Sequence, residues 1–175
     1  MKDNSVIKSL MERRSIRFFK PDKIEEELLD TVLEVGTYAA SGMNKQSPII
    51  VVIHDEPTKD RIRKMNMQVM GVPKRERFFG APTLIIVFAD KNVHTHVEDG
   101  SLVMGNMMNA AHALGLGTCW VHHAREEFET EDGIALRREW GISDDYVGIA
   151  HLVIGYPDCE NPEPKPRKEK YIYKV

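Results

Sequence analysis

Apolar positions fall into two alternating periods along the 175-residue chain. Near the start, Val6, Ile7, Leu10 and Met11 recur at helical spacing, with Asn4 or Ser5 placed to cap the first turn. Lys20-Pro21-Asp22 then breaks the pattern. Asp22 with Glu25 resembles a capping box, and Glu25, Glu26 and Glu27 suit a helix N-terminus. Ile24, Leu28, Val32 and Val35 stripe this second helix, which is predicted to end near Ala39 or Ala40. "IIVVIH" and "TLIIVFAD" are continuous apolar runs rich in β-branched residues, the mark of buried strands. Between them Pro57 opens a third helix carrying Ile62, Met65, Val69 and Met70.

From about His96 to Leu114 the pattern is helical and nearly apolar all round in its second half, which predicts a central helix. "GLG" supplies its stop. "TCWV" reads as a short strand, "EDGIALRREW" as a helix ended by Gly141, and "YVGIAHLVIGYP" as the last long strand. Helices and strands mix without a strict βαβ repeat, so the expected fold class is α+β in three layers. One domain over residues 1–175 is expected. Its tail, from about 157 to 175, is rich in Pro and Lys and cannot build core; it either extends into solvent or wraps a partner.

Composition narrows the function classes. With 42% hydrophobic and 29% charged residues the chain reads as folded and globular, not disordered. A formal net charge of −3 argues against a nucleic-acid partner, so any anion site must be a local cluster. The first residues lack the apolar core of a signal peptide, and no run approaches the roughly 18 apolar residues of a membrane span. A cytoplasmic protein with no membrane partner is expected. Cys119 and Cys159 are too few for a disulfide framework.

The local cluster is "ERRSIRFFKP". Arg13, Arg14 and Arg17 crowd within five residues and repel one another unless an anion neutralises them, and Ser15 adds a hydroxyl donor suited to phosphate. A solvated helix end is the competing reading. "PKPRK" in the tail holds Lys165, Arg167 and Lys168, either a second clamp or an ordinary soluble tail. In "AASGMNKQSP", Ser41, Asn44 and Gln46 offer donors and acceptors for the polar edge of a planar ligand, or form a turn.

"GLGTCWVHH" leaves three readings open. Cys119 could be a nucleophile with His122 or His123 as base, although it lies in an apolar strand where a thiol is usually inert packing. The histidines could bind metal with His94 and His96, but these spacings match no common zinc pattern, and no metal is expected. Or the strand edge lines a flat ligand. No Walker motif is present, and no GxGxxG follows a strand.

Taken in order, "RRSIRFF", "AASGMNKQSP", "GNMMNAAHALGLGTCWV" and "IGYPDCENPEPKPRK" resemble the nitroreductase family of FMN-dependent oxidoreductases across nearly the whole chain. The resemblance implies a central mixed or antiparallel sheet flanked by helices, in an intertwined homodimer. Two FMN sites would lie at the interface, each drawing on both subunits. It assigns Arg13, Arg14, Ser15 and Arg17 to the flavin, Arg13 at the phosphate and Arg17 at the pyrimidine end of the ring. The partner's copy of the loop would contribute Ser41, Gly42, Met43, Asn44 and Gln46. Asn66 would add a polar contact, and Thr118, Cys119, Trp120 and Val121 would lie along the isoalloxazine. Lys165 and Arg167 would be phosphate partners from the tail.

By the same resemblance the chain is an enzyme that passes hydride from NADH or NADPH through the flavin to nitroaromatics, quinones or similar acceptors, by ping-pong turnover. No side chain is expected to act as a catalytic acid or base; the flavin carries the chemistry and Arg17 tunes it. The alternatives are other flavin chemistry on the same scaffold, such as reductive dehalogenation or enone reduction, and a non-catalytic FMN sensor. Two features depart from the family pattern. Residues 71–80, "GVPKRERFFG", are the sole candidate lid, and Gln46 is followed by Ser47, Pro48 and Ile49 where aromatic residues often follow.

Overall fold

The computed structural model describes residues 3–71 and 76–175. Its elements in chain order are α1 (Ser5–Glu12), α2 (Glu26–Thr37), β1 (Pro48–Ile53), α3 (Glu56–Val69), β2 (Thr83–Asp90), α4 (His96–Ala113), β3 (Gly117–Val121), α5 (Ala124–Glu127), α6 (Glu131–Glu139) and β4 (Tyr146–Gly155). The four strands form one antiparallel sheet in the order β1-β2-β4-β3.

Alternation along β2 builds both layers of core. Ile85, Val87 and Ala89 face one side, where they pack with Leu29 and Val32 of α2 and Val103, Met104 and Met107 of α4. Leu84, Ile86 and Phe88 face the other, against Ile62 and Met65 of α3, Phe128, and Leu136 of α6. β2 has seven fully buried positions in eight, which is why it reads as an unbroken apolar run. The three-layer α+β expectation therefore holds, with the sheet antiparallel rather than mixed.

Local signals explain most boundaries. Asn4 caps α1 through its side chain, which accepts from the Val6 and Ile7 amides. Asp55 caps α3 by accepting from Thr58 N–H, with Pro57 in the first turn. Gly115 ends α4 at φ 79°, a conformation glycine adopts without strain. The expected capping box at Asp22 does not form. α2 begins at Glu26 with no side-chain cap, and Ile24 just before it packs into the core. α2 also ends at Thr37, short of Ala39.

Two connections position the site. The segment after α1 runs beside β3: Ser15 bridges Thr118, and Ile16 N–H donates to the Thr118 carbonyl at 2.9 Å. Beyond β4, Lys20 N–H donates to the Tyr156 carbonyl and Asp158 N–H to the Phe18 carbonyl, both at 2.9 Å. The arginine cluster and the start of the tail are thus tied to the same sheet edge. Residues 158–175 are exposed throughout. Among the described residues no helix is long and apolar enough to cross a membrane.

Candidate active site

Arg13, Arg14 and Arg17 lie along β3, on the edge of the sheet. Ile16 is buried beneath them at 5% exposure and anchors the segment. Gly117 permits the close approach: a Cβ there would fall 2.9 Å from the Ile16 Cβ. Two cavities open on either side of this seam.

The first, about 170 Å³, is walled by Arg13, Arg14, His112, Gly115, Gly117 and Thr118 among others. Arg14 Nη1 donates to the Met11 and Arg13 carbonyls, each at 2.8 Å, and so satisfies the end of α1. Arg13 Nη1 and Arg14 Nε are shielded from solvent and have no hydrogen-bond partner among the described residues. Unpaired buried guanidinium donors are costly, and an anion in this cavity would satisfy them. His112 shares the wall; burial first, and then the Arg13 charge, push its imidazole below the ordinary value of 6.5.

The second cavity, about 190 Å³, is lined by Arg17, Arg77, Phe79, Trp120, His122 and His123, with Cys119 and Val121 on its strand wall. The Arg17 guanidinium lies 5.8 Å from the centre of the Phe79 ring. Burial pushes the Cys119 thiol above its ordinary 9.0, outweighing the charges of Arg17 and Arg13 and a hydrogen bond with Ser15. A thiol held protonated makes a poor nucleophile, and neither His122 nor His123 hydrogen-bonds it among the described residues. Cys119 is part of the cavity wall.

The expected site residues are not all brought together. The Ser41–Gln46 loop leads into β1, on the sheet edge opposite β3, so about three strand spacings, ~14 Å, intervene. The loop is held by one bond to α4 and two of its own: Gly42 N–H donates to Asp99 Oδ1 at 2.9 Å, Gln46 N–H to Ser41 Oγ at 3.1 Å, and Gln46 Nε2 to Asn44 Oδ1 at 3.0 Å. Met43, Asn44 and Gln46 all carry positive φ, and Met43 is 86% exposed. Lys165 and Arg167 are exposed on the tail, where Arg167 Nη2 donates to the Lys165 carbonyl at 2.7 Å. Among the described residues neither group hydrogen-bonds the arginines, although Pro157, Cys159 and Asn161 at the start of the tail line the Arg13 cavity.

Asn66 lies inside the fold. It is 1% exposed, and its Nδ2 donates to the His122 carbonyl at 3.0 Å and to Glu127 Oε1 at 2.6 Å. Glu127 Oε2 in turn lies 2.8 Å from His151 Nε2, both residues being fully buried. Asn66 Nδ2 therefore anchors the end of β3 from inside, while its Oδ1 is shielded and has no hydrogen-bond partner among the described residues. Of the candidate lid, residues 72–75 lie outside those described. The remainder folds back on itself, with the Phe78 and Phe79 N–H groups donating to the Glu76 carboxylate.

Sequence reasoning missed Arg77, which lines the Arg17 cavity and has its Nε shielded and unpaired among the described residues. The signal was present in "KRERFF" but is indistinguishable there from a surface charge run. A larger cavity, about 500 Å³, lies elsewhere, between α2, β1 and α4, with Ser41 and Gln46 in its lining. It is lined by no cation, and its charged groups are Glu34 and Asp99, which would repel a phosphate. The arginines line the two smaller cavities instead.

Comparison with known proteins bears on the same residues. The model of the nitroreductase family matches residues 10–156. A protein of Archaeoglobus fulgidus, provisionally named an NADH dehydrogenase/NAD(P)H nitroreductase, is 30% identical over 160 residues, covering 88% of this chain and 86% of that one. An iodotyrosine deiodinase of Thermotoga neapolitana is 30% identical over 181 residues, covering 91% and 92%. In three dimensions a nitroreductase of Bacteroides fragilis, solved with bound FMN, superposes with a TM-score of 0.88, at 23% identity, over 98% of this chain and 99% of that one. The family match spans the arginine segment, the sheet and the central helix, and the chain belongs to the nitroreductase family.

Proposed function

We propose that the protein is an FMN-dependent oxidoreductase that takes reducing equivalents from NADH or NADPH and delivers them to an electron-poor acceptor such as a nitroaromatic or a quinone. The observation that carries this reading is the pair of shielded, unpaired guanidinium nitrogens on Arg13 and Arg14 beside β3, in a chain of this family. The FMN in the Bacteroides fragilis structure and the donor in the name of the Archaeoglobus fulgidus relative support the choice of cofactor and co-substrate.

The residues fit the group. Arg13 and Arg14, with the cavity beside Gly117, suit a phosphate by charge and by the absence of a side chain at position 117. Ser15 and Arg17 continue along the same strand edge, and Arg17 supplies a cation where the ring's electron-rich edge would lie. Cys119, Trp120 and Val121 offer a flat wall for the ring. Bound FMN would supply reversible hydride uptake and delivery, chemistry that no side chain here provides.

The remaining assigned groups reach the site from a second copy. Ser41, Gly42, Met43, Asn44 and Gln46 project at the opposite edge, and Lys165 and Arg167 extend on an exposed tail, as a shared site in a homodimer requires. One open face serves donor and acceptor in turn, so initial-rate plots at several acceptor concentrations should be parallel.

The purified protein should be yellow and release FMN on denaturation. Arg13→Ala should weaken FMN binding by about 10- to 100-fold, the loss of one charged hydrogen-bond donor at roughly 1.5–3 kcal/mol, with the fold intact by circular dichroism. A colourless protein that takes up no FMN would sink the reading; unchanged affinity in Arg13→Ala would remove the phosphate role. The similarity to the Thermotoga neapolitana deiodinase favours a second reading, reductive dehalogenation on the same flavin. Halide release from a halogenated phenol, with no turnover of nitroaromatics, would select it.

A further inference from the structure

We propose that His122, His123 and Glu126 form a site for a divalent transition-metal ion of the zinc, nickel or copper class. Each residue offers one ligand atom, and these atoms lie within 4.8 Å of one another. His123 Nδ1 is 3.8 Å from Glu126 Oε2. A tetrahedral site with bonds of about 2.1 Å holds its ligand atoms roughly 3.4 Å apart. Small side-chain rotations close the difference, and His122 and Glu126 are exposed and free to make them.

Two further observations bear on this cluster. His123 sits at φ 81° and ψ 8°, a left-handed conformation that histidine adopts more readily than most side chains and that turns it toward Glu126 on the next helical turn. In addition, His123 Nδ1 is shielded from solvent and has no hydrogen-bond partner among the described residues. A metal ion would satisfy it. The segment is also held in place from within, since Asn66 donates to the His122 carbonyl at 3.0 Å and to the buried Glu127.

The ligand set decides the class of ion. Two imidazoles and a carboxylate suit zinc, nickel and copper, whereas calcium and magnesium require a shell of oxygens. Arg17 and Arg77 line the same cavity as the histidines, and their charge opposes any cation. Affinity must then come from the imidazole nitrogens, which again disfavours the hard ions. Three protein ligands leave a position open. His122 borders both the Arg17 cavity and a neighbouring one beside Arg125 and Ile149. An ion here would stand at the rim of the proposed reaction site and could hold an acceptor oxygen. That bearing on acceptors rests on the flavin reading; the ion site itself does not.

The test uses the full chain, stripped with a chelator and dialysed against zinc, with bound metal measured by elemental analysis. About one zinc per chain is expected. His123→Asn keeps a residue tolerant of positive φ and removes the imidazole. Glu126→Gln keeps the shape of an exposed side chain. Each should weaken zinc binding about tenfold or more, with an unchanged far-ultraviolet dichroism spectrum, while His94→Gln binds as the wild type does. A wild type that takes up no stoichiometric zinc overturns the proposal. So does a stoichiometry near one that survives both substitutions, since the ion is then held elsewhere.

Discussion

His112 lies against Arg13 at the end of α4, and its lowered pKa has a defined sign. Burial and the neighbouring cation disfavour the imidazolium in the folded state, so the unfolded chain takes up that proton more readily. Stability therefore rises with pH across the window below 6.5 and is lost as pH falls through it. His112→Gln should flatten the fall in Tm between about pH 7 and pH 5, measured by thermal dichroism in parallel with the wild type. Equal slopes would place the acid sensitivity elsewhere. Arg13, Arg14, Ser15 and Arg17 were legible in the sequence because their signal is local: three cations and a hydroxyl crowded together. Asn66 was not. Which groups an amide meets depends on what packs over it, and here Glu127 and the His122 carbonyl take the Asn66 Nδ2. Arg77 was hidden for the converse reason, since a charge run looks the same whether it is solvated or lines a cavity.

Among the elements, β3 and the arginine segment beside it depend on each other. The seam tolerates no side chain at position 117, where an added Cβ would meet the β-branched, conformationally stiff Ile16 at 2.9 Å. Gly117→Ala should destabilise the fold by about 1–3 kcal/mol. It should also weaken FMN retention, because the segment carrying Arg13 and Arg17 must move off the strand. Denaturant unfolding and flavin release measure the two effects; a stable variant with normal retention would show that the seam can relax. Strong periods located the elements well. β2 coincides with "TLIIVFAD", and α4 ends one residue before the expected Leu114. The failures are where a local motif lost to burial. Asp22 with Glu25 matched a capping box, but α2 starts at Glu26 and Ile24 before it lies in the core. α5, with four residues, is too short to show a period.

For the whole molecule the surface is the informative quantity. A compact 20.0 kDa monomer is expected to expose roughly 8,700 Å², and this chain exposes 11038 Å². The excess includes the extended tail and apolar side chains on α1, where Val6 is 63% and Met11 57% exposed and nothing is buried. An amphipathic helix without a core to face wants a partner. Under the proposed function that partner is a second copy, and sedimentation equilibrium should give twice 20.0 kDa. An FMN-loaded monomer at micromolar concentration would contradict the shared site.

The sequence alone established the fold class, the order of elements and the motifs that resemble the family, because periodicity, capping residues and close clusters are properties of neighbours along the chain. It also located the arginines. The tertiary structure decided which cations stay unpaired beside β3, that Asn66 Nδ2 bonds Glu127, and that His122 and His123 lie near Glu126 at a left-handed turn. Those outcomes depend on burial and on contacts between segments far apart in sequence. No local pattern encodes what will be packed against a given side chain.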